Sequence, residues 1–214
     1  MANFGHNQFY SNWTYIPARD YSSAPFGFWS VKTAIVLTSY FNGTDPCVQA
    51  GVICQDDVAL LVLNPQNGHY AGNYTGWLGY GWNGYSYFPW QSLSQALIAQ
   101  LGYPCGLDSC QRMQRTDSLG YNAGSDWSNN TIIGSLMNGG SSGGPWIVNI
   151  GVQPVLSGGL TQGSMAAYNI VVGVTSWGFI NQAIKQQGAA PFTSTNILVL
   201  VNAVCTNPSL SGAC

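Results

Sequence analysis

What most constrains the fold of this chain is a succession of short runs rich in β-branched and aromatic residues, each bounded by glycine, proline or asparagine. They fall at 13–16, 29–37, 58–63, 74–79, 95–101, 146–150 and 170–177. Runs of this length between turn signals predict an all-β sandwich or barrel and argue against a parallel sheet with crossover helices. One segment breaks the pattern. Ser194 or Thr195 is placed to cap a helix over about 196–204. The chain divides into two β-rich halves, 1–88 and 89–214, with 87–92 as the link. With 214 residues, 46% of them hydrophobic, it can bury a sizeable core.

Chemistry concentrates in Asn138-Gly139-Gly140-Ser141-Ser142-Gly143-Gly144-Pro145. Glycines on both sides of a serine permit positive backbone torsions and let a carbonyl group approach the main chain closely. A serine displayed this way can act as a nucleophile, and the amides of Gly140 and Ser142 can converge on a developing oxyanion. The turn alone is weak evidence, since 27 glycines in 214 residues produce such runs by chance.

Two further segments add weight. Asp57-Val58-Ala59-Leu60-Leu61-Val62-Leu63 puts an acid at the mouth of an apolar strand, and Gly173-Val174-Thr175-Ser176-Trp177-Gly178 ends a strand in an aromatic residue and a glycine. With the serine turn, and in this order, they resemble the trypsin/chymotrypsin-like serine peptidases, whose hallmarks are GDSGGP, D-[IV]-A-L-L and V-x-S-W-G. The nearest resemblance is to the bacterial and fungal branch related to the glutamyl endopeptidases, through Ala24-Pro25-Phe26-Gly27, Gly102-Tyr103-Pro104 and the run from Gln187 to Ser194. The resemblance implies a double six-stranded β-barrel with a short C-terminal helix, Ser142 as nucleophile and Asp57 as the orienting acid. Asp56 is read as a solvated neighbour. Thr175, Ser176, Trp177 and Gly178 would line the substrate cleft, with Ser176 to Gly178 pairing with the substrate backbone as an added strand.

The general base must be one of two histidines, His6 or His69. His6 precedes Asp57 as the family order requires, and Phe4-Gly5-His6 echoes the family's histidine motif; His69, in Asn67-Gly68-His69-Tyr70, reads as an exposed turn residue. Aligning on His6 leaves the strands that precede this histidine in the family outside the chain, so the first barrel is expected to be incomplete. Two departures accompany this. Asn7 stands where the family has a cysteine, and Ser141 where trypsins carry the aspartate that pairs with a newly cut N-terminus, so activation through that salt bridge is not expected.

Composition narrows the partners. Only 6% of residues are charged, all seven acids are aspartate, and the net charge is −2. Arg19, Lys32, Arg112, Arg115 and Lys185 form no patch in the sequence, so there is no field to hold nucleic acid or an anionic membrane. No run approaches the ~18 apolar residues of a membrane helix. A monomer acting on a peptide or protein substrate, without cofactor, is expected. The six cysteines allow 15 connectivities, of which the local pairs are favoured: Cys47 with Cys54, Cys105 with Cys110, and Cys205 with Cys214. With two histidines and no CxxC, a metal site is set aside. Disulfides, and Asn-x-Ser/Thr sites at Asn12, Asn42, Asn73 and Asn129, suit a secreted protein. The first residues lack the charge and apolar core of a signal peptide, as expected of a processed or shortened chain.

Specificity follows from the resemblance too. Trypsins place an acid six residues before the serine, where this chain has Leu136 followed by Met137, and glutamyl enzymes place a histidine where it has Thr175. A preference for apolar or small side chains is expected. Two alternatives stand beside the peptidase: an inactive homologue that keeps the cleft as a peptide-binding module, and a carbohydrate-binding domain using some of the eight Trp and twelve Tyr.

Overall fold

The structure, a computed structural model, describes residues 6–152, 167–181 and 183–214. Of the histidine motif, Phe4 and Gly5 lie outside the described residues. The first half supplies a short antiparallel sheet. Strand β1 (Thr14–Tyr15) pairs with β2 (Trp29–Val36). After a short helix α1 (Thr38–Asn42) and the Cys47–Cys54 loop, β3 (Ala59–Leu63) pairs with β2 on its other side. The segment 74–79, expected as a strand, instead begins as the end of helix α2 (Gly72–Thr75), continues irregularly from Gly76, and is paired as a strand only where β4 (Gly79–Tyr80) starts. The cause is local, since Asn73 Oδ1 accepts from Tyr70 N at 2.8 Å and closes the backbone on itself. Trp77 is left 83% exposed.

The second half is a closed barrel. The link segment carries β5 (Phe88–Trp90), which pairs with β6 (Leu93–Gly102). Strands β7 (Gln114–Asn122), β8 (Thr131–Gly134), β9 (Pro145–Val148), β10 (Ile170–Gly178) and β11 (Gln186–Pro191) follow. The ring of pairings runs β6, β7, β8, β11, β10, β9 and back to β6, and β4 adds in parallel to β10. Strands β7, β8 and β11 have no counterpart among the runs expected from the sequence. Gln186–Pro191 is QQGAAP, with no β-branched or aromatic residue, and it is extended because it bonds to β8 on one side and β10 on the other; tertiary pairing overrides weak propensity.

Three apolar clusters hold these parts together. Ala96, Ile98, Ile133, Trp146, Val148, Val172 and Ala189 fill the barrel. Val58, Ala190, Phe192, Ile197 and Leu200 pack helix α3 (Ile197–Cys205) against both the barrel and the first sheet. Asn196 caps α3, its side chain accepting from Ile197 N, rather than Ser194 or Thr195. Ile53, Ile132 and Trp177 seat the Cys47–Cys54 loop on the barrel.

All three local disulfides form as expected. Cys47 bonds Cys54 across seven positions, in the loop before β3. Cys105 bonds Cys110 across five, closing the turn between β6 and β7. Cys205, the last residue of α3, bonds Cys214 across nine and folds the final residues back on the helix. No cysteine among the described residues is free. Among the described residues no helix is long and apolar enough to cross a membrane.

Candidate active site

The serine turn joins β8 to β9 and is stitched to β10. Gly143 N donates to Thr175 O at 2.8 Å and Thr175 N to Gly144 O at 2.9 Å, while Ser141 N donates to Asn138 O at 3.1 Å. Gly140 has φ 100°, and a Cβ there would lie 2.5 Å from both Cys105 Sγ and Tyr103 O, so only glycine fits. Ser141 is buried and Ser142 is exposed at the tip of the turn. Among the described residues the amides of Gly140 and Ser142 make no backbone bond, unlike those of Ser141, Gly143 and Gly144.

Ser142 opens onto a cavity of about 400 Å³. Met137, Thr175, Trp177, Phe179 and Ile184 are among its walls, with Leu136 at the rim, 65% exposed, and Ser176 and Gly178 also lining it. Trp177 is fixed by stacking on Trp127 at 5.4 Å and by donating to Asn130 Oδ1 at 2.9 Å. Behind the walls lies a buried neutral network of Gln100, Ser135, Ser141, Trp146, Thr175 and Gln187. Thr175 Oγ1 accepts from Trp146 Nε1 at 2.8 Å and from Gln100 Nε2 at 3.0 Å, so its hydroxyl is already engaged. No ionisable side chain belongs to this network; Lys185 lines the cavity but is exposed.

Asp57 enters from the first sheet at the start of the run leading into β3. Ser176 Oγ donates to Asp57 Oδ2 at 2.7 Å, joining the two halves at the strand end. The Tyr40 hydroxyl, from α1, lies against the same carboxylate; burial first, then the Asp57 charge, push its phenol well above the ordinary tyrosine range. Asp56 is not simply solvated: Ser39 Oγ donates to its Oδ2 at 3.2 Å, its amide donates to Asp45 Oδ2 at 2.9 Å, and its Oδ1 is buried without a partner. Burial, together with the charges of Asp56 and Asp57 and against the bond from the Asp56 amide, raises the Asp45 carboxyl above the ordinary aspartate value.

His6 is exposed and lines a second cavity with Tyr40, Gly43, Asp45, Asp57 and Ser176. Its Nδ1 lies 3.3 Å from Tyr40 O. A carbonyl oxygen only accepts, so in the neutral ring this contact puts the proton on Nδ1 and the lone pair on Nε2. Gly43, with φ 77°, bounds the ring, since a Cβ there would lie 2.9 Å from His6 Cδ2. Among the described residues no hydrogen bond or ion pair joins His6 to Asp57 or to Ser142. The expected site residues therefore occupy two cavities that share Ser176. His69 lies on an exposed turn closed by paired bonds with Gln66. Tyr40, Gln100 and Gln187 had no sequence signal for a site role, because a tyrosine in a polar stretch and glutamines in extended runs are common and mean nothing until their neighbours are known.

No protein-family model matches the sequence, and no curated protein is similar to it. Solved structures are. A thermostable serine protease, AL20, from an extremophilic microorganism superposes with a TM-score of 0.66 at 21% identity, over 91% of this chain and 76% of that one. The protease Anisep from Arthrobacter nicotinovorans gives 0.66 at 20% identity, over 99% of this chain and 79% of that one. A Glu endopeptidase in complex with MPD gives 0.55 at 16% identity, over 90% and 71%. The closed six-stranded barrel, the second sheet and the C-terminal helix are the chymotrypsin-like fold of these bacterial serine proteases.

Proposed function

We propose that the chain is an extracellular serine endopeptidase that cleaves peptide bonds through an acyl-enzyme. The observation that carries this reading is the Ser176–Asp57 bond, which brings the acid-bearing sheet to the strand lining the Ser142 cavity. Ser142 attacks the substrate carbonyl, His6 takes its proton on Nε2, and Asp57 stabilises the imidazolium that forms. That step requires the His6 ring to leave the Tyr40 carbonyl and turn toward Asp57, a tightening common between free and substrate-bound enzymes. The amides of Gly140 and Ser142 hold the oxyanion, each worth about 3–4 kcal/mol in comparable sites. The neutral network behind the cavity supports apolar or small side chains before the cut, and three local disulfides support an extracellular setting. The substrate is a peptide or protein, and the chain acts as a monomer without nucleic acid or membrane.

The direct test is a fluorophosphonate probe, with the adduct located by peptide mass and heat-unfolded protein as control. Label on Ser142 in the folded sample alone is the expected result. The second reading, an inactive homologue that binds peptides, is favoured by the missing His6–Asp57 bond; a folded chain that takes no label but retains peptides would select it. In a peptide library, cleavage mainly after Lys, Arg or Glu would refute the specificity.

A further inference from the structure

We infer that Gln187 and Gln100 are positioning residues for the serine turn, acting through Ser141; the inference rests on the peptidase reading and names what holds its oxyanion amides in place. The starting point is Ser141, the residue between Gly140 and Ser142. It is 1% exposed, and its Oγ donates to Asn138 O at 2.6 Å. With that proton committed, Ser141 Oγ receives one from Gln187 Nε2 at 3.2 Å. Gln187 therefore turns its Oε1 to Gln100 Nε2, which donates to it. The other Gln100 Nε2 proton goes to Thr175 Oγ1 at 3.0 Å, and Gln100 Oε1 accepts from Ser135 Oγ at 2.7 Å. Ser135 Oγ in turn accepts from Met137 N at 3.1 Å.

By the shortest bonds the links run from the Ser135 hydroxyl through two carboxamides to Ser141 and the Asn138 carbonyl, Gln187 Oε1 at 3.4 Å being the more distant acceptor for the Ser141 hydroxyl. The four side chains are at most 5% exposed, so water does not compete for these bonds. Reversing one carboxamide alone sets like against like at the Gln100–Gln187 link, acceptor against acceptor for Gln100 and donor against donor for Gln187, so the two amides are oriented together. Its two ends lie before and within the turn, at Met137 N and Asn138 O, so it spans the segment leading to Ser142. Gln187, Ser135 and Thr175 also line the cavity that opens beside Ser142. The same bonds thus shape the pocket wall and hold the residue between the two oxyanion amides.

The test uses Gln100→Met, which breaks the chain at a residue outside the cavity lining, and Gln187→Glu, measured against the wild-type 214-residue chain. Losing an oxyanion donor outright costs on the order of 10²–10³ in kcat, and a donor displaced rather than removed is expected to cost about tenfold or more. Gln100→Met should therefore lower kcat and the fluorophosphonate labelling rate at least about tenfold with KM little changed. In Gln187→Glu, the introduced carboxyl keeps a donor for Ser141 while it is protonated and has none once it ionises. The kcat of this variant relative to wild type should fall as pH rises, the ratio removing every pH effect common to both proteins. A flat ratio, or kcat and labelling within about twofold of wild type in folded Gln100→Met, would overturn the inference. Hydrogen exchange at the bonded amides of Ser141, Gly143 and Gly144 separates this from failure of the peptidase reading. If the wild type takes no label, that reading falls, while faster exchange in Gln100→Met still supports the positioning role and unchanged exchange refutes it.

Discussion

Asp57 accepts from the Ser176 hydroxyl of the barrel, and the Tyr40 phenol of α1 lies beside the same carboxylate. Hydrogen bonds to a charged group are worth about 1.5–3 kcal/mol each, more than neutral ones. Ser176→Ala, which removes the hydroxyl bonded to Asp57, is accordingly expected to lower kcat/KM about tenfold while the fold persists, and steady-state kinetics on a chromogenic peptide would check it. Asp45 carries the opposite lesson. Its carboxyl is raised from the ordinary 3.8, chiefly by burial, so the folded state binds its proton more tightly than the unfolded state does. The stability this contributes is complete below the ordinary aspartate range and is lost as pH climbs through the raised value. Asp45→Asn should therefore raise Tm relative to wild type at neutral pH, the advantage shrinking as the pH falls toward about 4. Thermal melts of both proteins across that range decide it. Equal differences at every pH would contradict the assignment. The acid and the serine were legible as residues because each lies in a short, ordered motif. Tyr40 was not, because its role depends on which carboxylate its ring meets.

At the scale of elements, α1 and its Gly43 cap form the support for the His6 ring. The glycine has φ 77° and sits against the ring, so Gly43→Ala combines backbone strain with a clash. It should cut labelling of Ser142 by at least about tenfold while Tm falls only slightly, since the site is on the surface. Helix α3 has a different job. Leu200 is 2% exposed between the barrel and the first sheet, and Leu200→Ala is expected to destabilise by about 2–5 kcal/mol, read by chemical denaturation. Strands β2, β3, β6, β9 and β10 were legible as short runs rich in β-branched and aromatic residues between turn signals, and helix α3 through the capping residues before it. The segment 74–79 misled because its aromatic residues, which suit strands, have no partner strand and lie exposed around a turn. QQGAAP carries no pattern at all, and only its two neighbours make it β11.

For the whole molecule, the first sheet and the barrel meet over Val58, Phe192 and Leu200, and that packing carries Asp57 to Ser176. The Cys47–Cys54 loop adds a second seam, packing Ile53 on Trp177. The sequence by itself determined the fold class, the local pairing of Cys47 with Cys54, Cys105 with Cys110 and Cys205 with Cys214, the placement of a serine on a glycine-flanked turn and the acid before its strand. These are properties of a few neighbouring residues, set by backbone torsion, short loop closure and the strand preference of β-branched and aromatic side chains. The tertiary structure alone decided that β7, β8 and β11 close the barrel, that Tyr40 touches Asp57, that His6 rests on the Tyr40 carbonyl, and that two glutamines 87 positions apart bond beneath the serine turn. Those outcomes depend on long-range pairing and on a hydrogen-bond network that is satisfied only when all its members are buried together, and neither is written in any single stretch of chain.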